Sequence, residues 1–301
     1  RSPSDQTQAA TQTAEIYAER AVADRARGDY DAAIVDLTHV IEFAPEHATP
    51  YLNRAIMKGL KGDWAGDIAD STLALEHDPG MAKAYDNRGV AKGHKNDWDG
   101  AITDLDRAIE LDPQSADAYQ NRGGAKAGKK DLDDAIVDFS HAIELDPKNA
   151  FSYLERGGAK STKKDFDGAI ADFDHAIELN PNDATYYYIR GETKVLQGNY
   201  NAAIADLNAA IKLDPKYTHA YKERGVAETA QNDYDGAVAD INHAIELDPK
   251  DASLYIARGN TKAKRGDYDG AIADFNYAIG FDPKSALAYL CRGDMKAKKG
   301  D

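Results

Sequence analysis

The chain has 301 residues, of which 52 are acidic and 37 basic, for a formal charge of −15. That balance disfavours a nucleic-acid wrapper and docking on an anionic membrane, because both depend on a clustered excess of Lys and Arg. A lone cysteine, Cys291, excludes an internal disulfide and any cysteine-built metal cage, and no apolar run approaches the roughly 18 residues needed to span a bilayer.

Residues 1–13 (RSPSDQTQAATQT) are polar and unpatterned, which predicts a flexible arm. Position 1 is Arg and not Met, so a mature or cut form is expected, and the compartment stays open between cytoplasm and periplasm. From residue 14 a fixed grid begins. Pro45, Pro79, Pro113, Pro147, Pro181, Pro215, Pro249 and Pro283 follow one another at steps of 34 residues. A period in the range of about 20–50 residues marks a repeat architecture. Tyrosine recurs at 17, 51, 85, 119, 153, 187, 221, 255 and 289, with an arginine three residues after each, from Arg20 to Arg292. A small residue comes next: Ala21, Ala55, then Gly89, Gly123, Gly157, Gly191, Gly225, Gly259 and Gly293.

The units are 14–47, 48–81, 82–115, 116–149, 150–183, 184–217, 218–251 and 252–285, followed by a partial copy from 286. Each predicts two helices. In 82–115 the second carries Trp98, Ala101, Ile102, Leu105, Ala108, Ile109 and Leu111, spaced mainly by three and four as on an amphipathic helix. Asp97 stands where an N-cap belongs, Asp99 complements the helix dipole, and Pro113 closes the unit. The unit at 48–81 departs from the pattern: Asp67, Ser71 and His77 replace apolar residues, which predicts a loosened joint near 63–80. The last helix ends at Lys299-Gly300-Asp301, where a second helix would begin, so truncation of a longer array is expected.

The Tyr and Gly columns, the second-helix Ala column (Ala33, Ala101, Ala135, Ala169, Ala203, Ala237, Ala271), the later Ala column (Ala74 to Ala278) and the closing Pro resemble the tetratricopeptide repeat family. The Arg and Lys columns resemble a bacterial-type tandem subgroup with the pattern Y-x-x-R-G-x-x-K. The resemblance covers essentially everything after residue 13. It implies an all-α fold, a right-handed α–α superhelix of antiparallel helix pairs, with eight full repeats plus one extra first helix lining a concave groove. Where many members carry leucine, this chain has its arginine column, and Lys58, Lys92, Lys126, Lys160, Lys194, Lys262 and Lys296 replace an aromatic. Aspartates at 36, 70, 104, 138, 172, 206, 240 and 274 answer them. A structural ladder of Arg–Asp pairs is expected, with the choice between own-repeat and preceding-repeat partners left open.

Chemistry-bearing motifs are sparse. Asp97-x-Asp99-Gly100 lacks the length and the late Glu of a calcium loop. His39, His141, His175 and His243 share one repeat position, too far apart to share a metal, and are expected to be solvated. No catalytic constellation, metal site or cofactor site is expected. The groove remains. Residues one and five after each Tyr should face it: Leu52 and Ile56, Asp86 and Val90, Gln120 and Gly124, Leu154 and Gly158, Tyr188 and Glu192, Lys222 and Val226, Ile256 and Asn260. Asn53, Asn87 and Asn121 are expected to form an amide ladder, Phe151, Tyr186 and Tyr188 an aromatic patch, and Gly124, Gly128 and Gly158 a flattened centre. The Lys–Asn pair by which chaperone-tail binders of the family hold a terminal carboxylate is missing. The expected function is a non-enzymatic scaffold binding a peptide or helix of a protein partner, with no nucleic acid and no membrane insertion. Self-association, or a regulatory role for a catalytic part lying elsewhere, is the alternative.

Overall fold

A computed structural model describes residues 3–300, with side chains from residue 12 onward. Among the described residues there are seventeen helices and no strand. The first helices of the repeats are α1 (Pro3–Ala26), α3 (Ala48–Leu60), α5 (Ala82–His94), α7 (Ala116–Gly128), α9 (Ala150–Thr162), α11 (Ala184–Gln197), α13 (Thr218–Ala230), α15 (Ala252–Arg265) and α17 (Ala286–Lys299). The second helices are α2 (Tyr30–Phe43), α4 (Trp64–His77), α6 (Trp98–Leu111), α8 (Leu132–Leu145), α10 (Phe166–Leu179), α12 (Tyr200–Leu213), α14 (Tyr234–Leu247) and α16 (Tyr268–Phe281). The chain falls into two compact units, Arg1–Lys148 and Asn149–Asp301, divided at the edge of a repeat. The 34-residue grid keeps its step through that point.

Helix α1 reaches back to Pro3, so from that residue on the segment expected to be an arm is helical. Proline is tolerated at a first helical position, Asp5 lies in the first turn, and Ala9 and Ala10 favour the helix, which together offset the missing apolar stripe.

Local chemistry sets each helix pair. The side chains of Asp29, Asp63, Asp97, Asp165, Asn199, Asp233 and Asp267 accept the backbone N–H three residues on, capping the second helices. One residue before each cap the chain passes through positive φ: Gly28, Gly62, Gly198 and Gly266 take it without cost, whereas Asn96, Lys130, Lys164 and Asn232 take it as L-residues. The core is a stripe on each second helix. Ala135, Phe139 and Ala142 are fully buried, as are Ala169, Phe173 and Ala176. The bulky member of the stripe packs on the glycine column of its own repeat: a Cβ on Gly157 would come within 2.5 Å of the Phe173 ring.

The Arg–Asp ladder is formed within each repeat and also reaches backwards. Arg54 donates from Nε and Nη2 to Asp70 at 2.7 and 2.8 Å, and from Nη1 to Thr38 Oγ1 of the preceding repeat at 3.1 Å. Arg88 repeats this with Asp104 and Thr72, Arg122 with Asp138 and Asp106, and Arg190 with Asp206 and Asp174. Lysine one turn later completes six of the eight sites, as Lys126 does at 2.7 Å from Asp138. Every arginine of the column also lies over the ring of its own tyrosine, 5.3–5.9 Å from the centroid. The ladder therefore engages the columns that repeat most strictly in bonds inside the protein.

The joint at 63–80 is not loosened. Asp67 and Ser71 are buried, and Asn87 of the next first helix donates to Asp67 Oδ1 at 2.5 Å and to Ser71 Oγ at 3.0 Å. Ser71 Oγ donates to Asp67 at 3.0 Å. A bonded polar cluster fills the space that an apolar stripe fills elsewhere. Burial raises the Asp67 carboxyl to about 6, against the opposing bonds from Ser71 and Asn87.

Candidate functional site: the outward face of the first helices

The framework columns of the first helices turn toward the second helices, which leaves the residues between them on the opposite face. In the first unit Asn53 is exposed, and Ile56, Asp86, Asn87, Val90, Gln120, Asn121 and Gly124 are half-buried. Leu52 departs from expectation: it is 6% exposed and packs with Tyr51, Ala74, Leu75 and Ala84, so it belongs to the core. The asparagines do not form an amide ladder awaiting a backbone. Asn87 is held by Asp67 and Ser71, and Asn121 Nδ2 donates to Asp86 Oδ1 at 2.9 Å. Ile56, Asp86 and Asn87 line a cavity of about 210 Å³ together with residues of α6, of α7 and of the turn between them, among them Asp112 and Asp117. Burial raises the Asp86 carboxyl above the ordinary range, partly offset by the Asn121 bond and reinforced by the Asp117 charge.

In the second unit Leu154, Tyr188, Glu192, Lys222, Val226 and Ile256 are half-buried and Asn260 is exposed. Leu154 and Ile256 lean on core clusters. The aromatic patch divides. Tyr186 is 7% exposed and packs with Ala150, Ala176 and Ile177, whereas Phe151 stands in solvent. Tyr186 lies two positions from Tyr188, and a helix turns by about 200° over that step, so the two rings face opposite ways. Tyr188 instead meets Tyr217, with ring centroids 4.9 Å apart, and its hydroxyl donates to Glu192 Oε1 at 3.3 Å. Burial raises both the Tyr188 hydroxyl and the Glu192 carboxyl, and nearby Glu223 adds to each shift. Lys222 pairs with Glu223 at 3.2 Å. Val226 and Asn260 line a second cavity, of about 400 Å³, formed by first helices alone and rimmed by Lys264 and Lys298.

Sequence reasoning missed Tyr217 and Glu223. Tyr217 stands where Ser115, Asn149, Asp183, Asp251 and Ser285 cap their helices through the side chain, and like His47 and Met81 it makes no such bond. A tyrosine at a capping position is the signal that could have found it, since it gives up the cap and adds a ring that meets Tyr188. Of the three glycines expected to flatten the centre, Gly128 has a packing reason, since a Cβ would come within 2.8 Å of Trp98. A Cβ on Gly124 or Gly158 meets nothing within 4 Å. The recurrent histidines are half-exposed or exposed and sit beside the tyrosine column, as His175 does 5.3 Å from Tyr153, with Glu178 on the other side.

Family models described as tetratricopeptide repeat match residues 116–149, 152–183, 193–252 and 241–273, and a TPR repeat model matches 94–129 and 259–300. Together they cover more than half of the chain. The chain belongs to the tetratricopeptide repeat family. Solved structures show the same fold. Against the crystal structure of the APC/C hetero-tetramer Cut9–Hcn1 the TM-score is 0.65 at 17% identity, over 88% of this chain and 52% of that one. This chain thus spans about half the length of that neighbour. A tetratricopeptide repeat protein from Parabacteroides merdae ATCC 43184 gives 0.65 at 18% identity, over 82% of this chain and 98% of its own. YrrB, a TPR protein described as having an unusual peptide-binding site, gives 0.50 at 24% identity over 65% and 97%. No curated protein matches the chain. The fold class is therefore the all-α tetratricopeptide solenoid. Among the described residues no helix is long and apolar enough to cross a membrane.

Proposed function

We propose that this protein is a non-catalytic scaffold that binds a peptide or a helix of a partner protein along the outward faces of its first helices. One observation carries the reading. Within a single chain the Tyr, Arg and Asp columns repeat without change, while the positions one and five after each Tyr run through Ala, Leu, Ile, Asp, Val, Gln, Gly, Tyr, Glu, Lys and Asn. The repeated columns are occupied by the ladder and the core, so the positions left to meet a ligand are those that differ from copy to copy. The open space over Gly124 and Gly158 supports the same reading, since glycine in a helix interior costs about 1 kcal/mol relative to alanine and nothing inside the protein requires it there. The acidic surface favours association with neutral or basic partners through complementary steering.

The test is affinity capture from the native lysate with the unchanged chain and with a Gly124→Leu, Gly158→Leu double variant. Leucine adds helix propensity while projecting into the face, so folding is retained and a partner is excluded. Partners recovered by the unchanged chain and lost with the variant support the proposal. Identical recovery by both baits would refute it, and a mass that rises with concentration in light scattering would then point to self-assembly.

A further inference from the structure

The cavity in the first unit contains an anomaly of charge. All eight aspartates of the ladder have a guanidinium in contact, and six of them also have an ammonium. Asp86 is half-buried, and among the described residues its hydrogen bond is to the neutral amide of Asn121. A carboxylate drawn out of water without a countercharge is expensive, and the protein supplies none here. Lys83 lines the same cavity, yet it is exposed and forms no ion pair with Asp86 or Asp117. Nor is this position bound to carry an acid, since its counterparts are Leu52, Gln120 and Leu154.

The walls show what kind of group would fit. Ile56, Ala82, Ala108 and Ala118 give an apolar lining, and Asp86 and Asp117 add charge. An alkyl stem ending in a cation matches both parts: methylenes against the alanines and isoleucine, the head between carboxylates. Resting on the scaffold reading above, we infer that this cavity receives a basic side chain, arginine or lysine, of the bound partner. The Asn121 amide holds Asp86 in place for it, while Asn87, fixed by Asp67 and Ser71, forms a rigid wall. The partner thus supplies the cation that the ladder supplies everywhere else.

The experiment is methyl NMR on the full chain, titrated with N-acetyl-arginine amide, N-acetyl-lysine amide and the neutral isostere N-acetyl-citrulline amide. The expected result is saturable shifts at Ile56, Ala82 and Ala118 with a cationic probe. Citrulline should bind about tenfold more weakly or worse, as should the arginine probe to Asp86→Asn, because a hydrogen bond to a charged group is worth more than a neutral one. Asp86→Asn keeps the size of the side chain, and unchanged methyl positions elsewhere verify its fold. Asp117→Asn, at an exposed site, should weaken the arginine probe more mildly. Equal binding of citrulline, unaltered binding to Asp86→Asn, or shifts scattered over the acidic surface would overturn the inference. The two readings fail separately. Capture that survives Asp86→Asn but not the glycine-to-leucine pair removes the cation site and leaves the scaffold, whereas capture indifferent to the leucines removes the scaffold whatever the probes do.

Discussion

Repeat seven breaks the ladder at Glu228, which stands where Lys58, Lys92, Lys126, Lys160, Lys194 and Lys262 stand in other copies. Arg224 still holds Asp240, from Nε at 2.5 Å and Nη2 at 2.6 Å, but a second carboxyl replaces the ammonium beside it. Glu228 Oε2 is buried without a hydrogen-bond partner. Burial first, and then the charge of Asp240, raise the Glu228 carboxyl to about 7, against the attraction of Arg224; Asp233 adds a smaller push. A folded-state value above the unfolded one favours the protonated form. The contribution to stability is therefore full below the unfolded value near 4.5 and is lost as pH rises through about 7. A shift of that size corresponds to about 3 kcal/mol at most, and screening of a half-exposed group reduces it to roughly 1–2 kcal/mol. Glu228→Lys should remove this penalty and restore the contact with Asp240 seen in six repeats. At pH 8 the variant is expected to be more stable by about 2 kcal/mol, and at pH 5 by less than about 1 kcal/mol. Because a repeat array need not unfold as one unit, amide hydrogen exchange across α13 and α14 at both pH values is the assay, alongside denaturant midpoints. An equal gain at both pH values, or a loss at pH 8, would refute the reasoning.

The ladder itself should be costly to break. Asp138→Asn strips the carboxylate charge from Arg122 and Lys126 and is expected to lower the denaturation free energy by about 3–5 kcal/mol. Arg20→Ala should also destabilise, because Arg20 is 61% exposed but its partner Asp36 is only 1% exposed and would be left buried without its guanidinium. Urea midpoints of the two variants check both. Lys164 holds φ at 65° in the turn where four other repeats place glycine, so Lys164→Gly should raise the thermal midpoint, consistent with relief of about 1 kcal/mol of backbone strain.

What was legible in the sequence was whatever repeats. Tyr, Arg, Gly, Asp and Pro recur because each solves one local problem in every copy, and the solution can be read from the spacing: cap, turn, close helix contact, ladder. The partner of each arginine was not legible, because pairing 16 residues forward and 16 back depends on how neighbouring helices cross. The same relation explains the joint near 63–80. Asp67 and Ser71 look like holes in an apolar stripe until Asn87, 16 residues beyond Ser71, is found in the space beside the place where Arg88 reaches Thr72. Counting along a helix puts Leu52 on the open face, and aromatic character groups Tyr186 with Phe151 and Tyr188, but burial at both positions is decided by the residues packed around them.

In this chain a framework residue is already bonded within its own repeat and to the preceding one. The informative residues are those that break a column and lose something locally: Tyr217 gives up a cap, Gly124 and Gly158 give up helix propensity, and Asp86 is half-buried without a cation. These losses fall on the outward side of a first helix or at its start, whereas other column breaks do not: Glu228 interrupts the ladder, and Gly280 lies open on the second helix α16. Tyr217, Gly124, Gly158 and Asp86 are therefore the positions on which the binding proposal rests, because each loses something locally that no neighbouring repeat element recovers, and the leucine and asparagine variants test the proposal there.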